Sequence, residues 1–202
     1  MTDGPEEQFA RLARSPAFLL IRQGMLHLAA WILLFSLFAA TDSWARLTGW
    51  SLATLLNVLT GVAAGFLTVN LTHEWFHYLG ARLAAASYSI TEKPSLFVFN
   101  WHFEHNSLGQ FYTMSIAGSA GGALGWLTLQ QATAIETAGG VALLAGACAS
   151  FAFGSLVEWP VLARTIRSRD PLAELSRLTP GVLGWTSAGS ALTGAIYAYT
   201  LA

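Results

Sequence analysis

Apolar residues in this chain come in blocks long enough to cross a bilayer, and no other feature restricts the fold as much. A helix needs about 20 predominantly apolar residues to cover the hydrocarbon core. The blocks run over 17–40, 50–86, 112–134, 139–162 and 181–201, with short polar stretches between them. Charged residues are 10% of the chain and hydrophobic ones 54%. A soluble domain carries about 25% charge, so the charges are too few to coat a water-exposed surface. The pattern predicts an all-α membrane protein, one integral domain over 1–202, with about five transmembrane helices. The first block is longer than a signal-peptide core and reads as a retained span. It follows a polar leader, 1–16, carrying Glu6, Glu7, Arg11 and Arg14.

Residues 88–111 break the helical pattern. Aromatic and β-branched residues dominate Leu96-Phe97-Val98-Phe99-Asn100-Trp101-His102-Phe103, and Pro94 interrupts any helix. The segment predicts a short cytoplasmic-face β-hairpin or a re-entrant segment. Lys and Arg concentrate in cytoplasmic loops of membrane proteins. With the N-terminus cytoplasmic, Arg11, Arg14, Arg22, Arg82, Lys93, Arg164, Arg167, Arg169 and Arg177 all fall inside, and only Arg46 falls outside. That bias predicts an integral protein of the cell (inner) membrane with its C-terminus outside. A net charge of −1 without a basic stripe gives no nucleic-acid partner, and a single cysteine, Cys148, excludes an intrachain disulfide. Oligomeric state stays open.

The second block carries His73-Glu74-Trp75-Phe76-His77. Residues four apart share a helix face, so His73 and His77 can hold one zinc ion. Glu74, next to the first ligand, reaches an attacking water and serves as general base. Ionisable residues inside a span are costly, and their default reading is functional. A bland reading stands beside it, an interfacial cluster bonded to loop backbone. The third ligand must come from the cytoplasmic end of another span. Glu158 fits, and a helix break at Trp159-Pro160 would turn its carboxylate inward; alternatively it pairs with Arg164 or Arg167. Asp170 is the rival ligand, although an Asp before Pro171 is also an ordinary helix cap. His102, Glu104 and His105 form a polar island, read as a second metal site, part of a substrate path, or a solvated turn. His27 stands alone in the first span and reads as a packing histidine. Phe97, Phe99 and Asn100 are expected to bind substrate, with a strand edge pairing to an extended peptide. The glycines between Ser115 and Gly125 permit close helix contact.

These residues together resemble the site-2 protease family of intramembrane zinc metalloproteases. His73-Glu74-Trp75-Phe76-His77 is similar to the family's HExxH on a membrane helix. Ile116-Ala117-Gly118-Ser119 resembles its Ala-Gly-Pro segment, with serine in place of proline. Leu156-Val157-Glu158 lies about where its Leu-Asp-Gly segment supplies the third ligand, with glutamate in place of aspartate and no following glycine. The resemblance spans roughly 70–165. It implies peptide-bond hydrolysis in or beside the lipid bilayer, on a membrane-protein or peptide substrate. Two other classes stay open. One is a non-catalytic membrane scaffold keeping a relic metal site. The other is a diiron oxidase or desaturase, whose histidine boxes His73–His77 and His102–His105 resemble; such enzymes need about eight histidine ligands, and this chain has 5 His in all.

Overall fold

The structure, a computed structural model, describes residues 14–201. Most of the leader expected over 1–16 lies outside the described residues. The chain runs α1 (Pro16–Thr48), α2 (Ser51–Leu83), β1 (Tyr88–Ile90), β2 (Phe99–Trp101), a 3-10 turn (Phe103–His105), α3 (Leu108–Ala132), α4 (Ala138–Ser168), α5 (Pro171–Leu175) and α6 (Pro180–Leu201). The helix ends follow from local chemistry. Ser15 caps α1 by accepting from the Phe18 N–H, with Pro16 in the first turn, where its missing N–H costs nothing. Gly49, at φ 66°, closes the other end in the left-handed conformation that glycine adopts freely. Ser107 and Gln110 form a reciprocal capping box on α3.

Three helices, α1, α2 and α4, are long and apolar enough to cross a membrane. The other two expected spans form helices of sufficient length, α3 with 25 residues and α6 with 22. Glycine, serine, threonine and glutamine dilute their hydropathy, so composition alone does not mark them as spans. The helices also overrun the expected blocks. α1 continues from Ala40 to Thr48, and α4 continues past Pro160 to Ser168. The expected break at Trp159-Pro160 is absent. Pro160 removes one backbone donor, yet α4 stays helical on both sides of it.

Helix α2 is the centre of the bundle and packs most extensively on α4 and α3, with α1 on its flank; α6 packs on α4. Glycine makes these approaches possible. A Cβ at Gly65 would lie inside the Leu143 carbonyl of α4. Leu143 and Leu144 of α4 join Ala64 and Val69 of α2 in the main core. Large apolar side chains face outward instead of inward, among them Ile21, Leu33, Leu55, Trp185 and Ile196.

Strands β1 and β2 pair antiparallel in the register Tyr88↔Trp101, Ser89↔Asn100 and Ile90↔Phe99. Their aromatic side chains bed on Tyr78 of α2, with Val98 fully buried. The short sheet therefore caps one end of the bundle, where α2 ends and α3 begins. The starts of α1 and α6 and the end of α4 lie at the same end. Arg22, Arg82, Lys93, Arg164, Arg167, Arg169 and Arg177 follow those helix ends. Arg46 lies at the other, paired with Asp42 and Glu136.

Candidate metal centre

The motif sits in the last third of α2, in unbroken helix, so the one-turn spacing of His73 and His77 brings both rings to one side. The two Nε2 atoms are 2.9 Å apart. The carboxylate of Glu158, on α4, lies over both: its Oε1 is 3.0 Å from His73 Nε2 and 2.7 Å from His77 Nε2. Each of the three residues offers one ligand atom, and these atoms lie within 4.8 Å of one another. Glu158 arrives by its place on a helix that continues through Pro160, not through the helix break expected there.

Close approach of α3 makes this convergence possible. A Cβ at Gly118 would collide with the His77 ring, and one at Gly121 would collide with Phe76. Glycine at both positions lets α3 lie directly on the motif. α3 then supplies two groups that hold His77 and Glu158. The Met114 carbonyl accepts from His77 Nδ1 at 3.0 Å. Ser119 Oγ donates to Glu158 Oε2 at 3.2 Å and accepts from Trp159 Nε1 at 3.3 Å.

The first of these bonds fixes the chemistry. Only a protonated Nδ1 can donate to a carbonyl, so the neutral His77 ring presents a bare lone pair at Nε2. That lone pair faces a carboxylate oxygen at 2.7 Å. Two acceptors so close repel unless a proton or a cation lies between them. A histidine that donates its other N–H to a backbone carbonyl is the usual arrangement of a metal ligand. Tetrahedral zinc with bonds of about 2.0–2.1 Å sets its ligand atoms roughly 3.3 Å apart. The observed separations are a few tenths of an ångström shorter, within reach of small side-chain rotations. The donor set, two imidazoles and one carboxylate with a side left open, therefore fits a divalent metal.

Glu74 lines the same space. Two cavities meet at the cluster. One, of about 230 Å³, is lined by Glu74, His77 and Glu158 and walled by Phe97, Phe99 and Phe111. The other, of about 450 Å³, touches His73, Glu74 and Glu158 from the side of Phe151. Phe97 borders both.

The remaining expected site residues lie elsewhere. Asp170 caps α5, accepting from the Ala173 N–H at 3.0 Å, and belongs to no metal-ligand group among the described residues. His102 bonds to the hydroxyls of Ser87 and Ser89. Its ring and that of His105 are 6.2 Å apart, and neither joins His73 and His77. Glu104 borders a surface pocket beside Asp170. Phe99 faces the first cavity, while Asn100 borders a separate pocket on the β1 side. Arg164 does not pair with Glu158; its Nε bonds to the buried carboxylate of Glu174 at 3.0 Å. Sequence reasoning missed Ser119 as a support of Glu158, although it had marked that position as serine in place of proline. No family model, no curated protein and no solved structure gives a match to this chain.

Proposed function

We propose that this chain is a membrane-embedded zinc hydrolase, acting as a peptidase on membrane-protein or peptide substrates. The observation that carries the reading is the meeting of His73, His77 and Glu158 ligand atoms in a cleft that Glu74 also lines. Bound there, zinc would supply a Lewis acid that polarises a carbonyl and makes water acidic near neutral pH. Glu74 takes a proton from the attacking water, and that water's oxygen adds to the carbonyl carbon. The same carboxylic acid then gives the proton to the departing amine nitrogen as the C–N bond breaks. The Met114 carbonyl and Ser119 keep the ligands aimed. The free edge of β2, beside Phe97 and Phe99, holds an extended substrate by backbone pairing, satisfying polar groups where water is scarce.

In this reading α1, α2, α3, α4 and α6 all cross the bilayer, and the sheet lies at its cytoplasmic face. The three strongly apolar helices and the outward apolar side chains support membrane association. The lysine and arginine asymmetry supports the orientation. His102 and His105 lie apart from the cluster, which weighs against a diiron site. The intact Glu74 weighs against a relic scaffold. The test is hydrolysis of membrane-tethered peptides by the purified protein. Cleavage should stop with a chelator, return with zinc, and fail in Glu74→Gln. Cleavage that persists in Glu74→Gln at the wild-type rate would overturn the assignment.

A further inference from the structure

A buried polar cluster on α1 lies outside the metal centre and joins it to the loop between the strands. Gln23 is fully buried and His27 is 6% exposed. They are one turn apart on a helix whose outer face is apolar, and both point at the backbone of 95–97. Gln23 Nε2 donates to the carbonyls of Ser95 and Phe97. The Trp75 indole, inside the motif, donates to His27 Nδ1 at 3.0 Å. An indole N–H only donates, so Nδ1 is the bare nitrogen of His27 and Nε2 carries the proton. That proton goes to the Ser95 carbonyl at 2.8 Å. The Gln23 and His27 Nε2 atoms stand 2.9 Å apart because both aim at one carbonyl oxygen. The arrangement leaves Gln23 Oε1 buried without a partner. Turning the amide over would set that oxygen against the two loop carbonyls instead. The cluster is thus a directed relay, from Trp75 through His27 to Ser95, with Gln23 beside it.

The segment it holds has little else to hold it. Thr91 and Val98 are buried and anchor the two ends, and the Thr91 hydroxyl bonds the Phe97 and Val98 carbonyls. Between them Glu92, Lys93, Pro94, Leu96 and Phe97 are exposed. Arg22 reaches the Glu92 carbonyl at the start of the loop. Few buried apolar contacts make a segment able to open locally. Phe97 borders both cavities beside Glu74, so movement of this loop moves a wall of the cleft.

We infer that Gln23 and His27 form a latch that holds residues 92–97 as a movable wall over the cleft, with His27 as the positioning residue linking that wall to the motif helix. The latch rests on the cleft and loop geometry and stands whether or not a metal is held.

The test reads access to the cleft by thiol labelling with a small maleimide, in a Cys148→Ala background. Ser115→Cys places the thiol in the first cavity, at a position 5% exposed. Ser190→Cys is the control, 4% exposed and lining a separate cavity between α2, α4 and α6. His27→Leu removes both relay bonds, and Trp75→Phe removes only the indole donor. His27→Gln keeps one acceptor and one donor. Trp75→Phe should raise labelling at 115 by about fivefold, the rate equivalent of one lost neutral hydrogen bond, and His27→Leu, which loses two, by about 25-fold. Labelling at 190 should not change, and His27→Gln should stay within about twofold of the parent. The inference is overturned if Trp75→Phe leaves labelling at 115 unchanged, or if both positions accelerate alike. It is also overturned if His27→Gln opens the cleft as far as His27→Leu.

Discussion

His77 offers the nitrogen that Met114 leaves free, and Glu158 offers the oxygen that Ser119 does not hold. Removing one such supporting bond typically lowers metal affinity by about 10–100-fold. Ser119→Ala should therefore weaken zinc binding by that order, read by competition with a chromogenic chelator. Unchanged affinity would show that packing alone orients Glu158. Asp170→Ala should leave zinc affinity unchanged while lowering stability by about 0.5–2 kcal/mol, the worth of a lost helix cap. Glu74→Gln should retain the metal and lose about 10²–10⁴-fold in hydrolysis, because an amide cannot accept the proton. At this scale the motif was legible, since both histidines and the glutamate lie within one helical turn. Glu158 was legible through topology, as a carboxylate at the matching end of another apolar block, and through the resemblance of Leu156-Val157-Glu158 to a Leu-Asp-Gly segment. Met114, Ser119 and the relay through His27 were not. Their roles depend on which residues of separate helices meet, and the sequence carries no local sign of it.

At the scale of elements, glycine sets how near α3 and α4 come to α2. The run from Ser115 to Gly125 was readable as a close-contact surface, but not which residue each glycine faces. Gly118 faces the His77 ring and Gly65 faces backbone far from it. The two should therefore respond differently to alanine. Gly118→Ala should lower both stability and zinc affinity, because its Cβ pushes the His77 ring out of line. Gly65→Ala should cost stability, about 1–3 kcal/mol for an overpacked contact, while the folded fraction keeps its affinity. Thermal unfolding in detergent with chelator competition separates them; equal affinity losses would refute the division. The unbroken α4 shows where local reading failed. Pro160 was read as a break, since an interior proline loses a hydrogen bond and crowds the preceding turn, yet α4 stays helical through it to Ser168 while packed on α2. The hairpin was read correctly in kind because Pro94 and the alternating aromatic residues exclude a helix there. Its strands are only 3 residues each.

At the scale of the molecule, the basic residues gather at one end and the Asp42–Arg46–Glu136 network occupies the other. Single cysteines at 95 and 136, in a Cys148→Ala background, should label from opposite sides of sealed vesicles. Labelling of both from the same side would contradict five crossings. The mean hydropathy of α3 and α6 could not be read as decisive, because residues that allow tight helix contact are the same ones that dilute an apolar block. All of this positions one cluster, and the direct test is its metal content. Purified wild-type protein should hold zinc at about one ion per chain, the occupancy of a single site with three protein ligands. His77→Ala and Glu158→Ala, each still folded, should hold almost none. Zinc retained equally by both variants, or a wild-type protein that binds no metal after reconstitution, would contradict the account.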